Sequence, residues 1–301
     1  MTNSSTRSAS AAVQAITYTL LVTAFSTPFW ILFAHGHTMV LAAVMSLMWC
    51  PAAAGIVSTL ILRKPFRNLG LRWGGFSNAA IGYFLPIVYG LVAYGIVWAT
   101  GIGHVPNYAF LQDIATKLHL PHASPALLFV IVALTLGVVW ELTGGLIAGL
   151  GEELGWRGFL TPVLAERYGW KAASVVTGLI WGAWHYPVIL WSSYHGAAPR
   201  WYTLVFFTLM TISLSFLFSW VRLRSNSVWP CALLHASHNI WVQAIFTGIT
   251  VSTAVSKWWI DNFGAMVPLV TAAAAIILLL SRPALDKKPS LTPDSSASVA
   301  A

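Results

Sequence analysis

Gly151-Glu152-Glu153-Leu154-Gly155-Trp156-Arg157-Gly158-Phe159-Leu160 puts three ionisable side chains inside an apolar run, and how they are accommodated decides what kind of molecule the chain can be. At 100° per helical residue, Glu153 and Arg157 are four apart and share a face, with the acid N-terminal to the base, the favourable order for a pair. Glu152 is five residues from Arg157, about 140° round the helix, so its carboxylate needs another partner, a proton or a water. Two readings stay open on this stretch. One is a buried ion pair beside a neutral acid; the other is a functional site, the default for an intramembrane ionisable group.

The rest of the chain is the reason to think of a membrane. It has 57% hydrophobic and 8% charged residues in 301, with a mean hydropathy of +0.74, too apolar for a soluble domain of that length. A spanning helix takes about 20 apolar residues, and eight segments qualify: 12–34, 38–62, 79–100, from 126 onward, 172–191, 202–221, 228–249 and 263–280. The expected fold is an all-α polytopic membrane protein, with a polar start (1–11), a transmembrane domain (12–281) and a Pro/Ser/Ala-rich tail (282–301) expected to be disordered. The first segment is too long for a signal-peptide core and reads as a retained span. The fourth continues past Glu141 and Gly144-Gly145 to Glu166-Arg167, too far for one straight crossing of about 30 Å at 1.5 Å per residue, so a break is expected near the glycines. The connection 101–125 is mixed in character and suits a helix lying on the surface. No internal repeat is visible.

The net charge of +8 comes from basic residues scattered between apolar segments, without the basic patch or motif of a nucleic-acid binder. They read as topology signals. With a cytoplasmic N-terminus, that face collects Arg7, Arg63, Lys64, Arg67, Arg72, Arg167, Lys171, Arg222, Arg224, Arg282, Lys287 and Lys288, and the far face only Lys117, Arg200 and Lys257. The imbalance places both termini in the cytoplasm of a protein integral to the cell membrane. Cys50 and Cys231 lie in apolar segments and form neither a disulfide framework nor a metal-site pattern.

Two further polar intrusions interrupt the spans. Trp181-Gly182-Ala183-Trp184-His185 sets Trp181 and His185 four apart, and His235-Ala236-Ser237-His238-Asn239 does the same for His235 and Asn239, with His238 near that face. A lone histidine in a span commonly just bonds a neighbouring helix. Depth argues for more: at 1.5 Å per residue His185 lies about 21 Å from the level of Lys171, His235 about 16 Å from Arg224, and Glu152 at most about 22 Å from Arg167. Three helices burying polar groups at one level make sense if those groups face each other.

Glu-Glu followed by Arg, an aromatic before His, and His before Asn, in that order on eight spans, resembles the CAAX-protease and bacteriocin-processing (Abi) family of intramembrane endopeptidases, over about residues 126–249. Trp181 stands where that family usually has Phe. The resemblance implies hydrolysis of a peptide bond in a membrane-associated or prenylated substrate. Glu152 would be the general base acting with His185; His235 and Asn239 would orient the water or hold the oxyanion, and Glu153 and Arg157 would give structural support. The carboxylate without a local partner is independently the better base, since burial favours its proton-accepting role. Members are often called metalloproteases. Glu152, His185 and His235 are the residues that could hold Zn at an open His/Glu site, yet no His-Glu-x-x-His run is present, and a metal-free, glutamate-activated water is the preferred account.

Two other classes compete. Buried Glu and His also serve proton- or ion-coupled transporters, although the inverted repeats common in those are missing from the sequence. A non-catalytic bacteriocin-immunity factor is the second, against which the intact polar motifs argue. The oligomeric state is not legible.

Overall fold

The computed structural model describes residues 9–36, 40–282 and 285; the polar start and the tail fall almost wholly outside them. The described residues form an all-helical bundle, as the composition requires: a backbone in lipid must satisfy its own polar groups. The long helices are α1 (Ala11–Gly36), α2 (Leu41–Ile61), α3 (Phe76–Ala99), α7 (Thr161–Trp191) and α8 (Arg200–Ser225). Shorter ones are α4 (Tyr108–Lys117), α5 (Pro125–Leu134), α6 (Leu146–Glu153), α9 (Trp229–Ser237) and α10 (Met266–Leu280). Prolines sit inside α1, α2 and α3, at Pro28, Pro51 and Pro86, where neighbouring helices can meet the freed carbonyls.

Among the described residues five helical stretches are long and apolar enough to cross a membrane, one of them the 67-residue run Pro125–Trp191. Within that run π-helical segments (Thr135–Gly145 and Leu154–Leu160) join α5, α6 and α7. The break expected near Gly144-Gly145 is absent: Gly145 keeps helical angles, φ −61° and ψ −47°. The glycines of this region serve close packing instead. A Cβ on Gly149 would meet the Ala232 carbonyl at 2.7 Å, so α9 can lie almost backbone to backbone against α6.

The reversal comes at Gly169 (φ 81°, ψ 157°), a conformation that glycine adopts without the Cβ penalty. The two arms then run back on each other, and the Thr161 and Thr177 hydroxyls, 3.2 Å apart, hydrogen-bond across them. Counting both arms, with α9 plus its π-helical continuation (His238–Phe246) and α10, the described residues supply all eight segments read from the sequence.

Each end of the bundle is tied. At one, Arg222 is 3% exposed; its Nε donates to the Arg157 carbonyl at 2.8 Å and its Nη2 to that of Asn68 at 3.1 Å. At the other, β1 (Gly103–His104) pairs antiparallel with β2 (Val251–Ser252). Here α4 forms the expected helix in the 101–125 connection. Asn107 caps it by accepting from Phe110 N, and also donates to the Gly248 carbonyl.

Candidate active site

The Glu152 stretch buries Glu152, Glu153 and Arg157 together. Glu153 and Arg157 are both fully buried, and Arg157 Nη1 donates to Glu153 Oε1 at 2.9 Å. The guanidinium is further held by Ser215 Oγ, 2.9 Å from Nη2, and lies between the rings of Trp181 and Phe218, 4.5 Å and 4.2 Å from their centroids. Such cation–π contacts gain strength when desolvated. The local pairing read from four-residue spacing is therefore present.

Glu152 finds partners that local spacing could not reveal. Its Oε2 accepts from the Trp181 indole at 2.8 Å and from the Trp156 indole at 3.3 Å. Trp181 thus does more than shape the pocket: it brings an N–H, which Phe lacks, to the carboxylate that the Glu153–Arg157 pair leaves out. Glu152 Oε1 lies 3.8 Å from His235 Nε2.

The three intrusions line one cavity of about 220 Å³, which Glu152, His185, His235 and Asn239 all face. Its remaining walls are largely aromatic and aliphatic, among them Trp184, Phe207 and Leu214. Hydrogen bonds fix how each group is presented. His185 Nδ1 donates to the Trp181 carbonyl at 3.0 Å, which leaves Nε2 for the cavity. His235 Nδ1 donates to Glu153 Oε1 at 2.8 Å, so its Nε2 points towards Glu152. Asn239 Oδ1 accepts from Gln243 Nε2 at 2.6 Å, which leaves its amide N–H groups for another acceptor.

Sequence reasoning missed several participants. His238 is fully engaged, by Tyr89 at Nδ1 (2.7 Å) and Asn262 at Nε2 (3.0 Å). Tyr89, Ser215 and Asn262 come from elements with no motif of their own, and nothing local in the sequence marks them. Glu153 was paired with Arg157 alone, whereas it bridges to His235 as well.

A family model described as Type II CAAX prenyl endopeptidase Rce1-like matches residues 138–241, the region that supplies Glu152, His185, His235 and Asn239. Over these residues, about a third of the chain, the sequence is similar to the Rce1-like family. CAAX prenyl protease 2 of Methanococcus maripaludis is 30% identical over 138 residues, 44% of this chain and 47% of that protein; the chain spans about half the length of the curated relative that it matches. The resemblance drawn from the three motifs is thereby borne out, and the matched segment runs from within the π-helical Thr135–Gly145 through the hairpin at Gly169 into the π-helical continuation of α9.

Of the three residues considered for Zn, Glu152 and His235 turn Oε1 and Nε2 towards each other at 3.8 Å, and each has its other polar atom engaged. Glu152 Oε2 is occupied by two indoles, and His235 Nδ1 by Glu153. Among the described residues no group of three or more His, Cys, Asp or Glu side chains is arranged to hold a metal ion.

Proposed function

We propose that this protein is an intramembrane peptidase of the CAAX type, hydrolysing a peptide bond in a membrane-associated substrate with Glu152 as general base. The observation that carries the reading is the convergence of Glu152, His185, His235 and Asn239 on one cavity. His185, with Nδ1–H committed to the Trp181 carbonyl, offers Nε2 to one hydrogen of a water whose other hydrogen faces Glu152, while His235 Nε2 lies beside Glu152 Oε1 and flanks the water's oxygen. That water gives its proton to the carboxylate as its oxygen attacks the carbonyl carbon. The Asn239 amide donates to the oxyanion that forms, as such donors do in other acyl transfers. Collapse breaks the C–N bond, and the Glu152 carboxylic acid returns the proton to the leaving amine.

At about 220 Å³ the cavity is smaller than the roughly 300–1,000 Å³ of ligand pockets, so a substrate enters as an extended strand. The relative's name speaks of a prenyl protease, and the apolar walls suit a prenylated Cys-aliphatic-aliphatic-X tail, which we assign as the substrate class. The positive-inside imbalance supports termini on the cytoplasmic side. The test is cleavage of a fluorogenic panel, prenylated and not, by purified full-length protein beside Glu152→Gln. Cleavage by the parent protein alone supports the reading, and a panel left intact by both overturns it.

A further inference from the structure

Asn262 lies outside every sequence motif and beyond the Rce1-like segment, in the connection that leads into α10. It is 2% exposed and yet lines the cavity. The connection is braced to hold it there. Asp261 takes a left-handed φ of 61°, its N–H donates to Tyr94 Oη at 3.2 Å, and its carboxylate accepts from Phe263 N at 2.6 Å. Ala265 N and Met266 N then close the turn on the carbonyls of Trp258 and Trp259, at 2.9 Å and 3.0 Å.

The amide itself is aimed by His238. Asn262 Oδ1 can only accept, so His238 Nε2 carries the proton, and Nδ1 accepts from the Tyr89 hydroxyl. Both ring nitrogens are used in orienting Asn262. With its oxygen turned to His238, Asn262 has its NH₂ end left for the cavity, whose lining it shares with Tyr194. A buried histidine engaged on both sides in order to set one amide is a costly arrangement in an apolar bundle unless that amide has a ligand.

We infer that Asn262 is a substrate-binding residue, donating from its amide to a backbone carbonyl of the peptide next to the scissile one, which Asn239 serves. This rests on the peptidase reading above. Every carbonyl of an extended strand drawn to this depth needs a donor, and a site built to hydrogen-bond a group discriminates against ligands that cannot match it. Asn262 would therefore act on which peptide is held, and His238 and Tyr89 would be positioning residues behind it.

The experiment uses full-length protein and a fluorescent farnesylated Cys-aliphatic-aliphatic-X peptide. Affinity is measured by anisotropy in the Glu152→Gln background, and KM and kcat in the parent. Asn262→Asp keeps the size and the acceptor for His238 but removes the N–H. It is expected to weaken Kd and raise KM by about five- to tenfold, the worth of one hydrogen bond, with kcat changed by less than a factor of about two because ground and transition states lose the same contact. An unchanged Kd and KM, or a fall in kcat at constant KM, would overturn the assignment. If Asn262→Asp does not fold, Tyr89→Phe, which removes one hydroxyl, should raise KM in the same direction, and an unchanged KM there has the same adverse meaning. Should the parent protein cleave nothing while Glu152→Gln protein binds the peptide and loses it on Asn262→Asp, the peptidase reading falls and the role of Asn262 stands. A peptide that never binds overturns both.

Discussion

His235 donates from Nδ1 to Glu153 Oε1 at 2.8 Å, joining two residues 82 apart in the chain. The bond makes Glu153 the hinge between the Arg157 guanidinium and the cavity, because the same oxygen accepts from both. A substitution at Arg157 should thus be felt at His235.

Arg157→Ala leaves Glu153 as an uncompensated charge in a fully buried position. The expected cost is about 3–5 kcal/mol, the range for breaking a buried pair from one side. Expression and thermal unfolding of the purified protein will check this. A variant as stable as the parent would show that the pair is not structural.

Glu152→Gln behaves differently, since the amide retains an oxygen for the Trp181 and Trp156 indoles but cannot take a proton. Its melting temperature should stay close to the parent's while peptide cleavage falls by about 10² to 10⁴, the usual worth of a general base. Substantial residual turnover would move the base elsewhere.

The chemistry of the water is tested by chelation. If protein groups alone activate it, chelator should leave cleavage unchanged, and active protein should hold only trace metal. Stoichiometric metal that disappears in His185→Ala, with activity restored to chelated parent protein by added Zn, would establish Lewis-acid activation instead.

Asp261 lies in the connection before α10, where burial pushes its carboxyl up to about 6 from an ordinary 3.8. Between those values the folded state keeps a proton that the unfolded chain has released. Stability from this group is therefore fully present below pH 3.8 and lost as pH rises through about 6. Asp261→Asn keeps an acceptor for Phe263 N and cannot ionise. Its melting temperature should lack the parent's decline across this interval and lie above the parent's at neutral pH; superimposable profiles would exclude the effect.

What the sequence disclosed follows from the range of its rules. Helical period and depth concern residues on one helix or at one level. They sufficed for the eight segments, for the Glu153–Arg157 pair and for the grouping of Glu152, His185, His235 and Asn239 around one cavity. Partners brought in by packing were out of reach: Ser215 and Phe218 against Arg157, Tyr89 and Asn262 on His238, and Glu153 beneath His235. The glycine expectation failed for a related reason. Gly144-Gly145 in isolation resembles a helix breaker, but Gly145 stays helical and nearby glycines serve close packing, Gly149 against α9 and Gly151 and Gly155 against α2; the left-handed φ of the reversal is at Gly169, with no distinctive sequence around it.

The hairpin at Gly169 works as a ruler. Glu152 lies 17 positions before that residue and His185 lies 16 after it, so the two are brought to a similar level by nearly equal counts along opposite arms. Loss or gain of one residue in either arm would turn the side chains beyond it by about 100° and slide them about 1.5 Å. Glu152 or His185 would then face a neighbouring helix with its chemistry intact and its aim lost. Substitutions along the lipid-facing side of these arms can accumulate freely, whereas their lengths cannot drift.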